Sequence, residues 1–221
     1  MAKLLFDQTG EKLYEMGVTN VVLFPAVNST TNPYPQGIAW NGITSITDSP
    51  DGAEATDLWA DDIKYASMRS AETFGGSISC YTYPDEWMDC DGSATIADGV
   101  TIGQQKRTGF ALAYKTTVGN DVLGEDYGYK IHIVYGATAS VSEKEHATIS
   151  DSPDAIEFSY DFDTTPVTVS GYKPTSKLEF DSTKCDETVM SALEDIIYGT
   201  SSTESQLPLP NDLFEELGIT V

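Results

Sequence analysis

The sequence is short of positive charge. Its 221 residues hold 12 Lys and Arg against 35 Asp and Glu, a formal net charge of −23. Arg occurs only as Arg69 and Arg107. Gripping phosphate needs clusters of Lys and Arg, so nucleic-acid binding through a basic patch is excluded. Adhesion to an anionic membrane surface is excluded on the same ground. Spread over the roughly 10,000 Å² that a folded monomer of this size exposes, the charge repels other polyanions.

Other scarcities narrow the field further. Three Cys (Cys80, Cys90 and Cys185) make an odd count, expected as free thiols of a reducing compartment, with Cys80 and Cys185 as small buried hydrophobes. No apolar run approaches the ~20 residues of a membrane span. The start, Met1-Ala2-Lys3-Leu4-Leu5-Phe6-Asp7, meets an acid too early for an export signal. Gly-rich phosphate loops, dinucleotide fingerprints, nucleophile elbows and zinc-protease motifs are all missing. Only His132 and His146 could serve a Ser–His–acid triad. His132 is expected as a partly exposed strand residue and His146 as solvated. The acids Asp61-Asp62, Asp161-Phe-Asp163 and Asp89-Cys-Asp91-Gly92 match no calcium loop and are expected as solvated faces. No catalytic, cofactor-binding or metal-ligating set stands out.

What is present is period-two alternation, the mark of strands. Expected strands are Val18–Phe24, Ile38–Thr47, Leu58–Met68, Phe74–Tyr83, Arg107–Val118, Tyr127–Tyr135, Ile156–Phe162, Val167–Val169 and Lys177–Phe180. In the Tyr127 segment, Tyr129, Ile131, Ile133 and Tyr135 share one face, and Lys130, His132 and Val134 the other. Asp48–Ala53 is a strong break. Pro84–Gly92 suits one helical turn, with Pro first and acids after it. Asp186–Tyr198 puts Val189, Leu193, Ile196 and Ile197 at helical spacing, with Thr183 or Asp186 as cap and Gly199 as stop. A short C-terminal helix over about 211–217, capped by Asn211, ends at Gly218. The expectation is a single domain over 1–221, mainly β: a β-sandwich or partial barrel flanked by one α-helix.

Longer motifs then carry a resemblance. Gly37-Ile-Ala-Trp-Asn-Gly-Ile43 is followed by Ser49-Pro-Asp-Gly-Ala-Glu54 and Ala60-Asp-Asp-Ile-Lys-Tyr65. Tyr81-Thr-Tyr-Pro-Asp-Glu-Trp87, Ile102-Gly-Gln-Gln-Lys-Arg107, Val118-Gly-Asn-Asp121 and Gly128-Tyr-Lys-Ile-His-Ile-Val-Tyr-Gly136 come next, and Leu207-Pro-Leu-Pro210 near the end. In order and spacing this resembles the major tail protein, or tail tube protein, of long non-contractile tailed bacteriophages. The chain departs from that pattern at Ala139-Ser-Val-Ser-Glu143, where the family has Pro before Ser-Glu.

The resemblance implies a structural virion protein, assembled in the host bacterial cytoplasm, with no active site, cofactor or metal. Six copies would join strands edge to edge into a ring, and rings would stack into a tube around a tape-measure protein. A tail terminator and a distal tail protein would be further partners, and DNA would pass through the lumen without specific binding. Six copies of a −23 chain carry −138 formal charges, which keeps a polyanion off the wall within the ~8–10 Å reach of screening. Asp61, Asp62 and Glu72 are the expected lumen-facing acids, with Lys64 as counterweight. Ser49, Asp51, Gly52, Glu54, Asp85 and Trp87 are the expected ring-stacking loop residues. The alternative is a carbohydrate-binding β-sandwich module using Trp40, Trp59, Trp87 or Tyr residues with bound Ca²⁺; an acidic glycoside hydrolase and a DNA mimic are further readings.

Overall fold

A computed structural model of the chain describes residues 4–52, 54–146, 148 and 155–220. Ala53, the end of the expected break, and Met1–Lys3 lie outside them. In chain order the elements are β1 (Tyr14–Pro25), β2 (Ile38–Ala39), β3 (Ile43–Asp48), β4 (Asp51–Gly52), β5 (Ala55–Ala60), β6 (Ile63–Arg69), β7 (Glu72–Thr73) and β8 (Gly75–Cys80). Then follow α1 (Trp87–Asp91), β9 (Ala94–Ala97), β10 (Val100–Ile102), β11 (Phe110–Asn120), β12 (Gly124–Ala139), β13 (Phe158–Thr164), β14 (Lys177–Asp181), α2 (Glu187–Tyr198) and α3 (Pro210–Glu216). Strands dominate and helices are few, so the expected mainly-β class holds.

The main antiparallel sheet runs β2-β1-β11-β12-β13-β8-β3, with β14 branching from β12. The branch point explains the shape. The first part of β12 pairs with β14 at Lys130–Val134, and its last part pairs with β13 at Ala137–Ala139. Between them sits Gly136 with φ of +63°. The residue opposes no partner in the β11 ladder, which slips between Phe110 and Leu112. A Cβ there would collide with the Thr165 carbonyl. Only glycine combines that left-handed backbone with that approach, and the bulge bends β12 from one neighbour to the other.

Beyond the bulge the sheet curls on itself. Trp40, at the end of β2, lies 6.5 Å from Tyr160 on β13, though three strands separate β2 from β13 in the sheet. The concave side encloses Leu23, Ile78, Cys80, Phe110, Leu112, Val134, Tyr160 and Phe162, and α1 adds Trp87 and Cys90. The opposite side of β1, β11 and β12 carries Phe24, Ala111, Ala113, Ile131, Ile133 and Tyr135 against Met190, Leu193 and Ile197 of α2 and Leu213 of α3. Both faces of these central strands are therefore buried, which is why Phe110–Tyr114 is an unbroken apolar run. Each fully buried Leu or Ile on α2 stabilises by ~1.5–3 kcal/mol.

Several boundaries differ from the sequence expectation. Ile38–Thr47 is two strands, because Gly42 turns at φ +80° between them. Leu58–Met68 is a hairpin, not one strand: Asp61 and Asp62 both adopt positive φ, 52° and 61°, the backbone of a two-residue hairpin turn that Asp tolerates. The loop after α1 holds a second hairpin, β9–β10, turning at Asp98-Gly99. Val167–Val169 contributes only an isolated bridge from Val167 to Thr175. Asp186 takes the N-cap position of α2 by backbone geometry alone, without a side-chain bond. Leu209 holds the N-cap position of α3 ahead of Pro210. Asn211 instead accepts a hydrogen bond from the Ser170 N–H at 2.9 Å.

Candidate assembly surface

Two surfaces stand out, and the first is a projecting arm. From β3 and β8 the chain continues as one ribbon: Ser49 N–H donates to the Gly75 carbonyl at 2.8 Å, β4 pairs with β7, and β5 pairs with β6. Gly52 at φ +90° lets the ribbon pass close over Ala71. All of β5 and all of β6 except Ala66 is exposed. Yet the arm carries large apolar side chains in the open: Trp59 is 69% exposed, Ile63 63%, Tyr65 73% and Met68 60%. Register places Leu58, Ala60, Ile63, Ala66 and Met68 on one face, with Tyr65 as the bulged residue. On the other face Lys64 Nζ pairs with Asp57 at 2.7 Å. Exposed apolar patches of this kind mark interaction sites.

The expected site residues fall as follows. Asp61 and Asp62 are exposed at the arm's tip and Glu72 lies in β7 at its base, so none of the three sits on the main sheet. Ser49, Asp51, Gly52 and Glu54 are exposed and cluster at the same base. Asp85 is exposed on a separate segment before α1. Trp87 is a correction: it is fully buried, 4.6 Å from Trp40 and 5.0 Å from Phe110 between ring centroids. Its apolar bulk belongs to the core, and it offers no side chain to a neighbour.

The second surface is the outward face of β3, β8 and β13, which carries none of the expected residues. Cross-strand register sets Ser45 beside Ser79 and Ser79 beside Ser159, then Thr47 beside Ser77 and Ser77 beside Asp161, then Gly75 beside Asp163. Thr138 of β12 adjoins Asp163. Glu157 extends the row and accepts from the Thr44 hydroxyl. These side chains are small hydroxyls and carboxylates, with no Lys or Arg among them. The alternation Ser77-Ile78-Ser79-Cys80 was legible in the sequence; that three such strands would lie side by side was not.

A polar cluster lies where β1, β11, β12 and β14 meet. Lys130 Nζ pairs with Glu15 at 3.0 Å and with Glu179 at 2.9 Å, and those bonds raise its pKa. Glu15 accepts from the Thr116 hydroxyl at 2.7 Å. Burial pushes the Glu15 carboxyl up, but Thr116, Lys130 and His132 more than offset it, and the pKa ends below the ordinary value. His132 is buried, not partly exposed as expected. It stacks on Tyr114 at 4.8 Å and meets Thr116 at 2.9 Å. Burial, with Lys177 nearby, holds its pKa below the usual value against the pull of Glu179, Glu15 and Asp48. Tyr114 donates to Asp48 at 3.2 Å, and Lys177 pairs with that carboxylate. The groups are tied to one another, and only the Asp48–Lys177 pair borders a groove, so the cluster locks strands together.

Two of the three thiols, Cys80 and Cys90, are buried. Burial raises the Cys80 thiol to about 11 and the Cys90 thiol to about 12, so both stay protonated at neutral pH. Cys185 is half-buried. Two of the three Trp that could have formed a sugar platform, Trp40 and Trp87, are buried. Among the described residues no cluster of three His, Cys, Asp or Glu could hold a metal ion. Among the same described residues no helix is long and apolar enough to cross a membrane. No protein-family model matches the chain, and no curated protein matches it.

Proposed function

We propose that the chain is a structural subunit that polymerises with copies of itself into a hollow tube, as the resemblance to phage tail tube proteins implies. The observation that carries this reading is the pairing of two surfaces with opposite chemistry on one ribbon. The β5–β6 arm is exposed and presents an apolar face, as a surface meant to be covered must. The β3–β8–β13 face that gives rise to it is built of Ser, Thr, Asp and Gly, as a surface meant to stay bare must be. In a tube the arm joins copies and the bare face lines the bore. A wall of hydroxyls and carboxylates holds water and repels a sliding polyanion, so duplex DNA passes without binding. This assignment replaces Asp61, Asp62 and Glu72 as the lumen acids.

Unused strand edges support the same reading. Among the described residues the outer edge of β1 is paired at Val22 and Leu23 and bonded at Val21 by the Trp40 N–H, β3 ends the sheet, and β14 pairs on one side. Open edges are hazards unless paired or covered, and edge-to-edge contact around a ring uses them. Six copies per ring, the tape-measure, terminator and distal-tail partners, and location in a virion tail belong to this reading. The test is electron microscopy of the purified chain together with sedimentation. Hollow rings or tubes are expected; a monodisperse monomer at all concentrations would reject the reading.

A further inference from the structure

We infer that the arm of one copy seats its acidic tip in a cationic groove at the arm's base on the next copy. The inference rests on the tube reading and names the surfaces that meet.

The groove is about 1050 Å³ in volume and lies between the arm's base and the Pro166–Lys177 segment. Its lining includes Arg69, Lys173 and Lys177 with Phe74, Pro166 and Pro174. A quarter of the chain's 12 cations thus line one groove of a strongly acidic protein. Lys177 is neutralised by Asp48. Arg69 and Lys173 are exposed and have no carboxylate partner among the described residues. The lining acids are Asp48, already paired, and Glu72.

The tip offers the complement. Asp61 and Asp62 are adjacent and exposed, and both point from a tight turn whose backbone register fixes them. Ile63 beside them is apolar and exposed, matching the Phe and Pro walls. The chain cannot satisfy this contact by itself. A six-residue strand spans ~20 Å, so tip and groove lie at opposite ends of one stiff ribbon. Because tip and groove are different surfaces, the contact is heterologous. Repeated head to tail from copy to copy, it closes into a ring or runs on as a stack. Charge complementarity of this kind fixes partner and register more than raw affinity, so charge reversal is the sensitive probe.

Two variants of the full chain test it: a tip variant, Asp61→Lys with Asp62→Lys, and a groove variant, Arg69→Glu with Lys173→Glu. All four positions are exposed, and circular dichroism checks that each variant folds. Each variant alone should lose at least about tenfold of its sedimentable polymer relative to wild type. Mixing the two should restore polymer, because the Lys tip then meets the Glu groove and the Asp tip meets the unaltered one. Variants that polymerise like wild type, or a mixture that stays unassembled, would overturn the tip–groove contact and leave the tube reading standing. A wild-type chain that forms no rings or tubes would overturn both.

Discussion

Trp40 and Trp87 meet inside the curled sheet with ring centroids 4.6 Å apart and planes tilted by 47°. Trp40 also donates its indole N–H to the Thr82 carbonyl at 2.9 Å. The pair ties α1 to the β2 end of the sheet and closes the concave core. Replacing Trp87 by Ala should cost ~3–5 kcal/mol, the range for a large aromatic removed from a packed core. Trp59→Ala, on the exposed arm, should change monomer stability by less than ~0.5 kcal/mol and reduce assembly instead. Urea unfolding of the two variants under non-assembling conditions checks this, and equal losses would contradict the placement of the two Trp.

Gly136 makes the second prediction. Its φ of +63° and the nearby Thr165 carbonyl leave no room for a side chain. Gly136→Ala should destabilise by more than ~1 kcal/mol. Gly99→Ala, at φ +75° with open space around it, carries only the backbone part of that penalty and should cost less. Thermal unfolding of both variants measures the difference.

The buried His132 gives the fold a pH dependence. Its folded pKa lies below the ordinary 6.5. As pH falls through ~6.5, the unfolded chain therefore takes up a proton that the folded chain refuses. The stability this group preserves is complete above that value and drains away as pH drops below it. Glu15 acts lower, since its folded pKa lies below 4.5, and stays ionised over this window. The fall in urea midpoint between pH 7.5 and 5.5 should be larger for wild type than for His132→Gln. An equal fall in the two proteins would contradict a neutral, buried imidazole.

The bore face yields a fourth prediction. Ser77 and Asp161 are register neighbours on it. Ser77→Lys with Asp161→Lys should leave assembly intact, because neither position lies on the arm or on an open strand edge. The assembled variant should retain duplex DNA at low salt and release it as salt rises, by counterion release. DNA retention no different from wild type would remove this face from the bore.

Strands with one strong alternation were legible in the sequence: Tyr129, Ile131, Ile133 and Tyr135 do share the face that meets α2 and α3. α2 was legible because Leu193 and Ile197 repeat at helical spacing and Gly199 stops it. The arm was hidden because Asp61-Asp62 lacks the glycine that usually marks such a turn, so two strands looked like one. His132 looked half-exposed because a single sequence does not reveal that β14 will pair beside it. The Ser/Thr/Asp face is spread over Ser45, Ser77 and Asp161, and each strand alone shows only an ordinary polar side. The apolar arm and the bare face became candidate surfaces only when register placed their residues together.

The most direct measurement is a cryo-electron microscopy reconstruction of the assembled wild-type protein. The result expected is a hollow tube with Ser77, Ser79 and Asp161 on the bore and Trp59 and Ile63 covered by a neighbouring copy. A reconstruction with the β3–β8–β13 face outside, or a protein that forms no hollow assembly, would contradict the central claim.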